Sequence, residues 1–253
     1  MNVLILMAGT HPSFEQAGYG FPRNLVQAKG KPVLQLVLEN LLPLKSMGAR
    51  FCALINREED RRFHTGRVLQ LIDPDISLHR VEGKTPGALC TALLGIDHIA
   101  PDQPLIITNG DILMDCDLCA AIADFQTREL DGGTITFQDI HPRWSFVKLD
   151  PAGYVIEAAE KRPISHHATT GFYYFRRGQD FLDAAFRCLQ KDAHLEGSFY
   201  ICPVFNEMIL QQQRIGTWSI DRCRYHTLKT ADDVRNYDES PTDQATPISH
   251  PDA

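Results

Sequence analysis

Three groups of residues in this chain have the types and spacing for phosphate chemistry. The first lies in the opening 32 residues, where an apolar run from Val3 to Met7 empties into Ala8 and Gly9. A long loop follows with Gly18, Gly20 and Pro22, and it carries the cations Arg23, Lys29 and Lys31. Small residues let a ligand approach the backbone, and isolated cations suit an anion. Connections between strand and helix usually take about 2 to 6 residues, so a loop this long beside a buried strand favours a binding role. The second group is Pro86-Gly87, which opens a run with Ala88, Cys90, Thr91, Leu94 and Ile99 at helical spacing. A helix N-terminus there would turn free amides toward an anion or a base. The third is Asn109-Gly110-Asp111, directly after the apolar stretch Pro104 to Thr108. An acid at the carboxyl end of a central strand sits where open α/β sheets bind ligands.

The elements that must hold these groups are readable from periodicity. Val3 to Met7 is continuous rather than alternating, as expected of a central parallel strand covered on both faces. From Pro32 the pattern turns helical through Val33, Leu34, Val37, Leu38, Leu41 and Leu42, ending near Pro43. Further strands are predicted at Arg50 to Ile55 and Ile76 to Val81, with a charged helix from Arg57 to Leu71 between them and a helix from Lys84 to Ile99 after them. Asp115 and Asp117 should cap or precede a helix through Ala120 and Phe125. Thr134 to Phe137, Phe146 to Leu149 and Gly153 to Glu157 read as strands, the last two joined by the turn Asp150-Pro151-Ala152-Gly153 into a hairpin. Tyr173, Tyr174 and Phe175 are expected to alternate between core and surface.

Composition fits one soluble α/β unit: 253 residues, 43% of them hydrophobic, are enough for a sizeable core. The formal charge of −7, with no basic tract, argues against nucleic acid as the main partner. No apolar run approaches the ~20 residues of a membrane span, and no cleavable signal pattern opens the chain, so a cytoplasmic location is expected. Seven cysteines, at 52, 90, 116, 119, 188, 202 and 223, make no disulfide framework. Cys116 and Cys119 lack a second pair to complete a metal site and read as small apolar residues on a helix face. One domain is expected over 1–236, with a polar, proline-rich tail at 237–253.

The opening segment resembles the signature of the sugar-1-phosphate nucleotidyltransferases, in the branch reading M-A-G-x-G-S-R-F-x-x-x-G-Y-x-x-P-K-x-L followed by G-K-P. Met7, Ala8, Gly9, Phe14, Gly18, Tyr19, Pro22, Leu25, Gly30, Lys31 and Pro32 match in register. The strings HPRWSFVKLD, EAAEKRPISHHATTGFYYF and EGSFYICPVFNEMI extend the similarity over about residues 1 to 236. His11, Pro12 and Ser13 depart from the pattern where the family has glycine, serine and arginine, and Arg23 replaces the lysine. The missing arginine contacts the departing pyrophosphate in the family; Pro12 has no amide hydrogen and Ser13 no charge.

The resemblance implies a Rossmann-like three-layer α/β fold with a mostly parallel sheet and a small hairpin insertion. It implies nucleotide contacts from Met7, Ala8, Gly9, Gly87, Asn109 and Gly110, and from Glu82, five residues before Gly87, at the base. Asp111 would bind Mg²⁺, for which one carboxylate with phosphate oxygens and waters is a suitable donor set. Arg23 would face the triphosphate or the acceptor phosphate, and Lys161 of the Glu160-Lys161 pair the acceptor phosphate. Thr170 and Gly171 match a turn before a strand lining the sugar pocket. Tyr200 and Asn206 fit either the pocket rim or a packed loop, and His166 and His167 read as solvated loop residues. A second metal carboxylate is expected late in the family, but here Thr227 and Lys229 occupy that stretch, Asp221 is out of register, and Asp232 and Asp233 fit the first turn of a helix. The partners implied are a nucleoside triphosphate and a phosphorylated small-molecule acceptor, in the family's usual setting of surface polysaccharide precursors, and a homo-oligomer is compatible with them. Three readings stay open: an active nucleotidyltransferase; a catalytically degenerate protein that binds a nucleotide or nucleotide sugar; and a glycosyltransferase of related architecture using Asp115-Cys116-Asp117.

Overall fold

The computed structural model describes residues 1–240, and the expected tail from 241 onward lies outside the described residues. The opening apolar run forms β1 (Asn2–Leu6). Val3 and Ile5 enter one hydrophobic cluster, Leu4 and Leu6 another. Successive side chains of a strand point to opposite faces, so a run without polar alternation is what a doubly covered strand requires. The loop that follows carries more structure than its lack of period suggests. It contains α1 (Ser13–Gln16), a 3₁₀ turn at Arg23–Leu25, and the paired two-residue strands β2 (Gln27–Ala28) and β3 (Lys31–Pro32). Phe14 anchors it, buried and edge-on to Tyr19 at 5.7 Å. Helix α2 (Val33–Leu41) buries Val33, Leu34, Val37, Leu38 and Leu41, as the spacing predicts.

Next come β4 (Arg50–Asn56) and, in place of one helix from Arg57 to Leu71, two: α3 (Arg57–Phe63) and α4 (Thr65–Ile72). The break is His64, in the left-handed region at φ 58°. Asp60 drives it, its carboxylate accepting from the Gly66 amide at 2.7 Å. A Cβ on Gly66 would lie 2.7 Å from the Leu78 side chain, so α4 begins hard against β5 (Ser77–Val81). Helix α5 (Ala88–Leu94) stops at Gly95, short of the predicted Ile99, and a 3₁₀ turn at Ile96–His98 replaces its last part. β6 (Leu105–Asn109), β7 (Ile112–Met114) and α6 (Leu118–Thr127) follow, and Asp117 caps α6 by accepting from the Ala120 amide at 3.0 Å.

The remaining strands are β8 (Gly132–Gln138), β9 (Ser145–Leu149), β10 (Val155–Glu160), β11 (His167–Phe175), β12 (Ile215–Ser219) and β13 (Tyr225–Thr227). The remaining helices are α7 (Gly178–Gln190), α8 (Val204–Ile209) and α9 (Ala231–Glu239). In the main sheet the order runs β10-β9-β11-β6-β1-β4-β5, with β8 also paired to β11 and β12 to β8. Strands β6, β1, β4 and β5 are mutually parallel, and β11 inserts antiparallel between β6 and β8. That central position corrects the expectation for Tyr173, Tyr174 and Phe175, which are all buried because both faces of β11 are covered. It also places His167, Thr170 and Gly171 within a strand rather than in a loop or turn. The β9/β10 hairpin is present as predicted, its turn closed by Asp150 accepting from the Ala152 and Tyr154 amides, both at 2.9 Å.

Residues of α2, α4, α6 and α9 join one core cluster, and those of α5, α7 and α8 the other. The fold is a three-layer α/β sandwich, as expected. Asp232 and Asp233 sit in the first turn of α9, where Thr230 and Asp233 form a capping box. This helix continues to Glu239, past the point where the tail was expected to begin. The seven cysteines are free, and burial pushes the Cys116 thiol up to about 12. Among the described residues no helix is long and apolar enough to cross a membrane.

Candidate active site

A cleft of about 550 Å³ opens at the carboxyl ends of β1 and β6. Its centre is an ion pair: Arg23 Nη1 donates to Asp111 Oδ2 at 2.7 Å, with the two side chains only 6% and 14% exposed. Both partners are fixed by their surroundings. Asn24, next to Arg23, donates from Nδ2 to the Met7 carbonyl at 3.0 Å and to Glu59 Oε1 at 2.7 Å. Glu59 in turn accepts from Thr65 Oγ1 at 3.0 Å. On the other side the Leu228 amide donates to the Asp111 carbonyl at 2.7 Å, which brings the stretch after β13 against the acid. Arg23 Nε and Thr170 Oγ1 are buried without a protein partner, and both residues line the cleft.

Ala8, Gly9, Asn109, Glu160, Thr170 and Gly171 also line this cleft, together with Gly87. The glycines are there for different reasons. At Gly9 a Cβ would meet nothing within 4 Å, so its backbone is open to a ligand. At Gly87 (φ 106°) a Cβ would lie 2.2 Å from the Phe199 carbonyl oxygen, so the missing side chain is required by chain packing at a position that also lines the cleft. One of the amides expected to be free at the start of α5 is also spent, because Leu89 N donates to that oxygen at 3.1 Å. A Cβ at Gly110 would strike Met7 Cγ at 2.3 Å; at Gly171 (φ 91°) it would strike Asn109 Nδ2 at 2.4 Å. Gly110 and Met7 therefore pack against each other and stand outside the cleft lining, whereas Gly171 leaves room for Asn109.

Two other expected residues stand apart. Glu82, directly after β5, is exposed, paired with Arg57 at 3.0 Å and outside the cleft lining. Lys161 lies on the exposed rim at φ 52°, its ammonium 5.3 Å from the ring centroid of Tyr200, a lining residue. Beside it, burial raises the Glu160 carboxyl, which accepts from Ser145 Oγ at 2.5 Å. Asn206 is a packing residue, bonded through its amide to both backbone groups of Ala158 at 2.8 Å.

Sequence reading missed an aromatic wall. Tyr225 stacks on Phe137 at 4.6 Å and meets Trp144 edge-on at 5.6 Å, while the Arg143 guanidinium lies 4.0 Å above Trp144. Arg143, Trp144 and Tyr225 line the cleft with Thr227 and Lys229. Arginine beside tryptophan in HPRWSF was the available signal. The altered loop is tied down while His11 still lines the cleft: Ser13 Oγ contacts His11 Nδ1 at 2.8 Å and accepts from the Ala231 amide of α9 at 3.0 Å. Lys29 adds a backbone bond to the Asp238 carboxylate and places its ammonium 4.6 Å from the Tyr237 ring centroid. Asp115 pairs with His226 at 2.7 Å and Asp117 caps α6, so neither acid of the Asp-Cys-Asp triplet lines the cleft.

Glu59 gives the network a pH dependence. Desolvation is the largest influence on it and raises its carboxyl above the ordinary value, outweighing the bonds from Asn24 and Thr65. The folded state then holds the proton more tightly than the unfolded one, so this site's contribution to stability falls as pH rises from the ordinary carboxylate range through the folded value. Glu59→Gln keeps the accepting oxygen and removes the charge. Urea midpoints measured from pH 4 to pH 8 are expected to decline less for this variant than for the native chain; parallel profiles would contradict the assignment.

No protein-family model matches the chain, and no curated protein matches it. Solved structures do. The nucleoside-diphosphate-sugar pyrophosphorylase from Vibrio cholerae RC9 is 24% identical, with 94% of this chain and 100% of that one covered at a TM-score of 0.82. A Bacillus anthracis protein provisionally described as a glucose-1-phosphate thymidylyltransferase, solved with a sucrose, is 16% identical, with 94% of each chain covered at a TM-score of 0.72. The chain thus shares the Rossmann-like three-layer α/β fold of these two structures.

Proposed function

We propose that this chain transfers a nucleoside monophosphate from a nucleoside triphosphate to a phosphomonoester of the sugar 1-phosphate class, releasing pyrophosphate. The observation that carries the reading is the buried Arg23–Asp111 pair beside the open backbone of Gly9, at the carboxyl ends of β1 and β6. In this reaction an acceptor phosphate oxygen bonds to the α-phosphorus while the bond from that phosphorus to the bridging oxygen breaks. The electron pair leaves with pyrophosphate, and no proton needs to move. Positioning and charge neutralisation are the main demands. Arg23 uses one guanidinium donor on Asp111 and keeps others for phosphate oxygens. Arg143, Lys229 and the rim residue Lys161 supply cations for the acceptor. Asp111 is suited to Mg²⁺, because a single carboxylate is enough when phosphates and waters fill the other positions, and the metal would supply further neutralisation of phosphate charge. A role in polysaccharide precursor synthesis and a cytoplasmic setting accord with this activity.

The second reading, nucleotide binding without turnover, is favoured by the absence of an arginine at positions 11 to 13, where Ser13 is instead engaged with His11 and Ala231. A thermal-shift panel of the common nucleoside triphosphates with Mg²⁺, followed by a pyrophosphate assay with sugar 1-phosphates, separates the two. Ligand at 100 times its Kd stabilises a fold by about 2.7 kcal/mol, so a cognate nucleotide should raise the melting temperature visibly. A shift with pyrophosphate supports transfer, and a shift without it supports the second reading. No shift and no pyrophosphate would overturn both.

A further inference from the structure

Three carboxylates line the cleft, and each is already engaged by a protein donor. Asp111 takes the Arg23 guanidinium at 2.7 Å, Glu160 takes Ser145 Oγ at 2.5 Å, and Asp233 takes the Thr230 amide at 2.9 Å. Among the described residues, no group of three or more His, Cys, Asp and Glu side chains is placed to hold a metal ion. Asp111 is the carboxylate that the proposed function assigns to a divalent cation, and in the free protein its charge is balanced by a guanidinium. Arg23 has no easy exit. Its side chain is 6% exposed, and its neighbour Asn24 is pinned to both Met7 and Glu59.

We propose that Arg23 is a built-in counter-cation that keeps divalent metal off Asp111 in the free protein, so that metal enters only together with the nucleotide. The inference rests on the proposed nucleotide site. A divalent ion arriving alone would meet a carboxylate whose charge is neutralised and a fixed positive charge beside it, where repulsion in a partly buried site is strong. It would also have to give up hydration for one shared carboxylate, which Mg²⁺ does reluctantly. Triphosphate changes both conditions. Its oxygens become ligands for the metal, and its negative charge offers Arg23 a second partner for the donors left unused, among them the buried Nε. Metal and nucleotide binding are thereby coupled, each raising the affinity for the other.

Mn²⁺ reads this out without turnover, since the free ion's electron paramagnetic resonance signal diminishes on binding. The native chain without nucleotide is expected to bind Mn²⁺ at least tenfold more weakly than Arg23→Met, and the binding gained should vanish in Arg23→Met/Asp111→Asn. Arg23→Lys retains a charge and should stay weak. If Arg23→Met fails to fold by circular dichroism, Arg23→Gln, polar and uncharged, takes its place. Equal Mn²⁺ affinity of the native chain and the neutral variant, whether both bind or neither does, would overturn the proposal. Because these titrations use the free protein, that result is distinct from failure of the transfer reading, which shows as the absence of any nucleotide-dependent melting shift or pyrophosphate.

Discussion

Asp111→Asn is expected to slow pyrophosphate release by about 10²- to 10³-fold, the usual effect of removing one preorganised charge from a site of electrostatic catalysis. The substitution has a second consequence. Arg23 is left buried without its counter-ion, and breaking a buried pair by removing one partner typically costs about 3–5 kcal/mol. A lower melting temperature must therefore accompany the loss of activity, and activity alone would not separate chemistry from stability. Arg23→Met/Asp111→Asn makes that separation, because removing both charges leaves neither uncompensated. Its urea midpoint should recover toward that of the native chain, whereas pyrophosphate release should stay at the level of Asp111→Asn or below. A double variant that regains both stability and turnover would show that Asp111 has only a structural role.

Gly87→Ala is the substitution expected to damage the fold most. Its added Cβ would lie 2.2 Å from the Phe199 carbonyl oxygen and 2.6 Å from the Phe199 nitrogen, both backbone atoms that cannot swing aside. Phe199 is held in place from both ends, by its amide donating to Pro86 at 2.8 Å and its carbonyl accepting from Leu89 at 3.1 Å. Residue 87 also sits at φ 106°, where L side chains are strained. Backbone strain of this kind costs roughly 1–3 kcal/mol, and overpacking roughly another 1–3 kcal/mol. Together they are a large part of the roughly 5–15 kcal/mol that stabilises a domain. Urea denaturation should show the loss as a lower midpoint. Gly9→Ala is the contrast: nothing lies within 4 Å of the added atom, so stability should stay within about 0.5 kcal/mol while nucleotide affinity falls. If the two variants behave alike in stability, the distinction between a packing glycine and a ligand-facing one is wrong.

Those two glycines mark the boundary of what sequence could reveal. Strands β1, β4 and β6 were legible because a strand buried on both faces must be apolar at every position, a purely local demand. The capping of α6 by Asp117 and the acidic first turn of α9 were legible for the same reason. The reason for a glycine at position 87 is Phe199, over a hundred residues away, and the reason at 110 is the side chain of Met7; neither leaves a local trace. Glu82 was placed by counting from Gly87, and counting cannot show that its carboxylate meets Arg57. The break at His64 arises from Asp60 reaching the Gly66 amide, which periodicity alone reads as an uninterrupted helix. Tyr173 to Phe175 were misjudged because burial of both faces depends on β11 lying between β6 and β8, a matter of strand order. Asp111 and Arg23 were named individually from sequence, but their pairing across 88 positions was not visible.

The clasp between the opening loop and α9 also bears on how the chain is made. Ser13 finds its backbone donor in Ala231, 218 positions later, and Lys29 finds its acceptor in Asp238, 209 positions later. Synthesis runs from the N-terminus, and contacts this distant in sequence form late because the intervening chain must first be brought together. The segment translated first is therefore among the last to be finished. A chain ending before Thr230 would have Phe14 and Asn24 to seat its opening loop and still lack the two contacts that α9 adds.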